Sequence, residues 1–92
     1  PDITVCLTAD TGSQTSVLPM TIGMLIRAGL SFEDAIRGVT INPASVLGLQ
    51  DRIGSLEEGK DADVAIFDGN PFDSLSLCRL VMIDGEVMMN TL

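Results

Sequence analysis

The apolar pattern changes twice along the chain. Residues 3–9 (ITVCLTA) form a short β-branched run ending at Asp10, the pattern of a buried strand. Residues 11–16 (TGSQTS) are small and polar, a loop. Over residues 17–28 the spacing predicts a helix. Leu18, Ile22, Leu25 and Ile26 share one face, while Val17, Met20 and Met24 cover much of the rest. A helix apolar nearly all round is expected to be buried on several sides. Ser16 is its expected cap, Pro19 fits the first turn, and Arg27 with Gly29 marks the stop. Ser31-Phe32-Glu33-Asp34 reads as a capping-box variant opening a second helix, whose stripe is Phe32, Ala35, Ile36 and Val39. A third helix is expected to open at Asn42-Pro43, with Asn42 as cap, Ala44, Val46 and Leu47 packed, and Gly48 as stop.

After Leu49 the texture becomes β. Gly54 and Gly59 bracket an acidic turn, residues 62–67 (ADVAIF) read as a strand, and Asp68-Gly69-Asn70-Pro71 is a dense cluster of turn formers. Residues 80–83 and 86–89 flank Asp84-Gly85, the two-residue signature of a hairpin with a type I′ turn. The only internal seam lies near residues 50–54.

Composition narrows the function. Ninety-two residues make one small domain. The net charge of −8 argues against nucleic acid, strongly anionic substrates and anionic membrane surfaces as partners. The chain has no histidine, so no Ser-His-Asp or Cys-His apparatus and no histidine metal site can be built from it alone. The 46% hydrophobic share is high for a small domain, which buries only roughly 60% of its unfolded surface, so exposed apolar surface is expected to need a partner. Its greasiest stretch, residues 17–26, is interrupted by Pro19, Thr21 and Gly23 and is too short to span a membrane. The chain opens Pro1-Asp2 rather than with methionine, and is expected to be a processed, excised or truncated piece. Cys6 and Cys78 sit in apolar runs and read as buried reduced thiols, which points to the cytoplasm. The five methionines are expected to fill gaps in a core.

Two motifs fail on inspection. Residues 54–60 (GSLEEGK) follow P-loop spacing, but Asp61 stands where a magnesium-binding Ser or Thr belongs. Residues 61–66 (DADVAI) begin like a calcium loop, but Ala65 and Ile66 occupy positions needing an oxygen ligand and a glycine. Glycines for the turn, with Lys60 and the aspartates tying loops down, make this stretch a scaffold. Asp10 is different, because it stands where an apolar strand meets a small-residue loop. Such a carboxylate can bind a cation or take a proton from water, or it can cap the following turn through its own backbone; local features leave both open.

Residues 40–49 (TINPASVLGL), then 51–63 (DRIGSLEEGKDAD), resemble the C-terminal signature of the metal-dependent amidohydrolase superfamily, "T-x-N-x-A-x-x-L-G-L" followed by "G-S-L-x-x-G-K-D-A-D". Residues 62–68, Asn70-Pro71-Phe72 and residues 81–87 continue it to the closing "x-x-D-G-x-x-V". The flavour is closest to the imidazolonepropionase-like and related cyclic-amidohydrolase branches.

The resemblance implies an α/β fragment. Residues 1–49 would carry the last strand and helices of a (β/α)8 barrel, and residues 50–92 the C-terminal strands of a small β-sandwich. It implies hydrolysis of a non-peptide C–N bond, amide or cyclic amide or amidine, by metal-activated water in the parent protein. Asp10 maps onto the eighth-strand aspartate that binds metal and shuttles the proton, and is the sole catalytic and metal-binding candidate here. The divalent metal, zinc in the first instance, would be held mainly by upstream histidines that this chain lacks. A histidine often follows that aspartate in these branches; here it is Thr11. The expected partners are the rest of the barrel, or another copy of this chain, and in the parent a small-molecule substrate. The alternative is a non-catalytic fragment or interaction module that self-associates through exposed apolar surface.

Overall fold

A computed structural model describes residues 3–9 and 17–92. Three helices come first: α1 Leu18–Arg27, α2 Phe32–Val39 and α3 Ile41–Val46. Three strands follow: β1 Val64–Phe67, β2 Cys78–Ile83 and β3 Glu86–Asn90. They form one antiparallel sheet in the order β1-β2-β3.

Local chemistry sets most of the boundaries. The Leu30 amide reaches back to the Leu25 carbonyl and the Gly29 amide to Ile26, so Gly29, at φ 124°, closes α1 with two reversed bonds. The same pair of bonds, Leu49 to Ala44 and Gly48 to Ser45, closes α3. Ser31 caps α2, its Oγ accepting from the Asp34 amide at 3.1 Å, with Glu33 and Asp34 in the first turn. Asp84 and Gly85 both take positive φ, 51° and 80°, as a type I′ turn requires.

Other expectations are corrected. Residues 3–9 form no regular element and pair with no strand among the described residues. A strand is defined by its ladder, and the described sheet pairs β1, β2 and β3 with one another and not with residues 3–9. The third helix opens one residue before Asn42. Thr40 is both the last cap of α2 and the first of α3, and Asn42 caps nothing. The cap of α1 is Val17, which makes no side-chain cap bond; Ser16 lies outside the described residues.

The core sits between helices and loop rather than inside the sheet. Ile22 and Ala35, 1% and 0% exposed, meet Phe72, which arrives from the turn after β1. Leu7, Leu18, Ile26, Leu30, Ile36 and Val39 pack around this trio. Phe32 sets its ring edge-on to Phe72 at 5.7 Å. Gly54 presses against α3, where an added Cβ would stand 2.9 Å from the Cβ of Ala44.

Several apolar residues expected inside are outside. Val46 and Leu47 are 66% and 72% exposed, and Met20, Met24, Met88 and Met89 are exposed too. At 100° per residue, Met20 and Met24 project opposite Ile22, and no described element covers that side of α1. Cys6 is exposed and Cys78 half-buried, both free.

Candidate functional site

Asp10, the one catalytic and metal-binding residue the sequence offers, lies outside the described residues. What the structure shows is how the chain leading to it is held. The Leu7 amide donates to the Gly38 carbonyl of α2 at 2.8 Å, and the Asn42 Nδ2 donates to the Val5 carbonyl at 2.8 Å. Gly38 lets α2 come this near: a Cβ there would stand 3.0 Å from both Cγ and Cδ1 of Leu7. Beside this contact an open cavity of about 420 Å³ lies between Ile3, Thr4 and Val5 on one side and Asp34, Arg37 and Asn42 on the other.

The tether was not readable from local sequence. Asn42 looks like a cap, and its true partner stands 37 residues away. Gly38 did carry a signal. A glycine inside a helix costs about 1 kcal/mol relative to alanine, which marks a site of close approach.

The acidic loop after α3 behaves as a scaffold. Arg52 Nη2 meets Asp61 Oδ2 at 2.9 Å, and the Asp61 amide donates to the Arg52 carbonyl at 2.8 Å, closing the loop at its base. Lys60 Nζ donates to Ser55 Oγ at 2.6 Å and lies 3.6 Å from Glu57 Oε1. The Ser55 hydroxyl bond, then the Lys60 charge, hold the Glu57 carboxyl below its ordinary pKa. Asp63 Oδ1 accepts the Asp84 amide at 2.8 Å, tying the hairpin turn to the start of β1. Lys60 and these carboxylates are engaged with one another and with backbone.

The chain has no histidine, and among the described residues no three cysteine or carboxylate side chains gather where they could hold a metal ion. The described residues therefore do not make a metal centre of their own. No helix among them is long and apolar enough to cross a membrane.

A sequence profile described as the amidohydrolase family matches residues 1–89. The chain belongs to the amidohydrolase family. It is 40% identical over 87 residues to an adenine deaminase of Jannaschia sp., covering 89% of this chain and 14% of that protein. It is 52% identical over 44 residues to an imidazolonepropionase of Sphingopyxis alaskensis, covering 47% of this chain and 11% of that protein. The solved structure of an amidohydrolase from Thermotoga maritima superposes with a TM-score of 0.87 at 37% identity, over 96% of this chain and 23% of that one. This amidohydrolase segment thus spans between a tenth and a quarter of the proteins it matches.

Proposed function

We propose that these residues complete the barrel of a longer metal-dependent amidohydrolase. In this reading residues 3–9 are its last strand, with Asp10 at the strand's C-terminal end. Helices α1–α3 follow it within residues 1–49, and residues 50–92 contribute β1–β3 to the small sandwich. The β-branched pattern of residues 3–9, left without a pairing partner among the described residues, supports it, since a strand needs neighbours to fill its ladder.

The reaction is hydrolysis of a non-peptide C–N bond in a small amide, cyclic amide or amidine. The observation that carries this is the family match across residues 1–89, supported by relatives that are an adenine deaminase and imidazolonepropionases. Zinc is the divalent ion of this reading, there to acidify the attacking water, with every ligand beyond Asp10 supplied from outside these residues. The chain's own share is proton transfer: the Asp10 carboxylate takes a proton from water and returns it to the leaving nitrogen.

The test is Asp10→Asn in the full protein, with ammonia release from adenine and ring opening of imidazolonepropionate as assays. Loss of kcat by about 10²-fold or more is expected, the usual weight of a general base. An Asp10→Asn protein that keeps the parent rate would end the assignment, and failure of the unmodified protein on both substrates would count against the substrate class. A second reading, self-association of the 92 residues alone, is favoured by the uncovered Met20–Met24 side of α1 and by exposed Val87 and Met88.

A further inference from the structure

The turn between β2 and β3 carries a chemical liability that the fold holds in check. Asp84 is followed by Gly85, and glycine has no Cβ to crowd its own amide nitrogen. That nitrogen can attack the side-chain carboxyl carbon of Asp84 and close a succinimide ring. Asp84 also takes φ 51°, the only positive value at a non-glycine among the described residues, so its backbone stands in a region that L side chains seldom adopt. Two hydrogen bonds from the residues leading into β1 lie across the turn. The Gly85 amide donates to the Ala62 carbonyl at 3.0 Å, and the Asp84 amide donates to Asp63 Oδ1 at 2.8 Å. The first holds the very N–H that would attack, and the second holds the residue attacked. The antiparallel pairing of Val64 with Met82 brings these groups together, so the sheet itself sets the arrangement.

We propose that Asp84-Gly85 is a site of spontaneous backbone rearrangement, aspartyl to isoaspartyl, and that the bonds from Ala62 and Asp63 set its rate. The Gly85 nitrogen gives up its proton and bonds to Asp84 Cγ. The carboxyl hydroxyl leaves with that proton as water, and a succinimide remains. Water then adds back. Opening the ring at the side-chain carbonyl restores aspartate, whereas opening at the main-chain carbonyl leaves the chain running through Cγ with a free α-carboxylate. No oxidant, metal or partner is consumed, and the net change is an isomerisation. The product carries one extra carbon in its main chain. A type I′ turn admits two residues of fixed φ, so the lengthened turn no longer closes Ile83 against Glu86. Ring closure begins from a locally open turn, since the Gly85 nitrogen cannot donate to Ala62 and attack at once. Its rate is therefore that of the unfolded chain multiplied by the fraction of time the turn is open.

The experiment keeps the full protein at neutral pH, folded and in urea, and counts isoaspartyl groups by methyl transfer from an isoaspartyl methyltransferase. Fragmentation mass spectrometry assigns them to residue 84. The folded parent is expected to convert about 10-fold or more slowly than the urea-unfolded chain, with hydrogen exchange at the Gly85 amide slowed by a similar factor. Asp63→Ala is expected to speed conversion of the folded protein about 5-fold or more, the weight of a hydrogen bond to a charged acceptor. Asp63→Asn, which keeps an oxygen acceptor, stays within about twofold of the parent. Exchange in α1 reports whether Asp63→Ala has kept its fold; where it has not, the parent comparison decides alone, because it needs no substitution. No isoaspartyl at residue 84 in the unfolded chain, or conversion equally fast folded and unfolded, overturns the proposal. So does a folded Asp63→Ala protein that converts at the parent rate.

Discussion

Gly23 passes so close to the turn after β1 that a Cβ there would overlap the carbonyl oxygen of Phe72. Intrinsic propensity favours alanine over glycine in a helix by about 1 kcal/mol. The obstacle, however, is backbone, which cannot rotate away as a side chain can. Gly23→Ala is therefore expected to destabilise by about 1–3 kcal/mol, the usual range for overpacking, read as a lowered midpoint in urea. An unchanged or raised midpoint would show that the turn carrying Phe72 is free to shift. Other residues declared themselves in sequence because their partners are near. Ser31 needs only Asp34, and Asp84-Gly85 needs only the φ values that the pair allows. Asn42 did not, because it answers to Val5, and Cys6 is exposed although its apolar neighbours suggested a core.

The connection between β1 and β2 is built around one carboxylate. Asp68 Oδ1 accepts the Leu77 amide at 2.8 Å, Oδ2 faces Arg79 Nε at 3.2 Å, and the Asp68 amide returns a bond to the Leu77 carbonyl at 3.0 Å. The Leu77 bond first, with Arg79 adding to it, holds the Asp68 carboxyl below its ordinary pKa. A depressed folded value means the fold favours the ionised form. The contribution is complete above the ordinary aspartate range and disappears as pH falls through the lowered value. Exchange protection at the Leu77 amide should accordingly hold steady from neutral pH down to about 5 and weaken below about 4. Asp68→Asn should remove that acid limb, and a limb of equal steepness in the variant would assign it to another carboxylate. The elements themselves were largely legible, with the ends of β1 and of both hairpin strands within two residues of those expected. The exception is the run over residues 3–9, whose β-branched pattern promises a ladder that the described strands do not supply.

At the scale of the molecule the balance of surface is unusual. An accessible area of 6750 Å² exceeds the about 5100 Å² expected of a folded monomer of 9.7 kDa. Large apolar side chains stand exposed on it: Met20 and Met24 on α1, Val46 and Leu47 beside or on α3, Val87 and Met88 on β3. Apolar area of this kind is covered in a working protein. The isolated 92 residues are therefore expected to self-associate, with a sedimentation mass above 9.7 kDa that grows with concentration. A monomer that stays monomeric into the millimolar range would show that this surface tolerates water.

By itself the sequence determined the features whose causes lie within a few residues: caps, glycine stops, the hairpin, the turn formers after β1, and the two ordered motifs of the amidohydrolase family. It also determined what chemistry these residues cannot supply, since a chain without histidine offers no imidazole base or imidazole metal ligand. Tertiary structure alone decided which apolar residues are interior, because a periodic stripe names a face without naming what covers it. It decided, too, that Phe72 belongs to the helical core and that Asn42 serves Val5 rather than its own helix. Those outcomes depend on contacts between residues tens of positions apart, and no local pattern encodes the distance across which a side chain will find its partner.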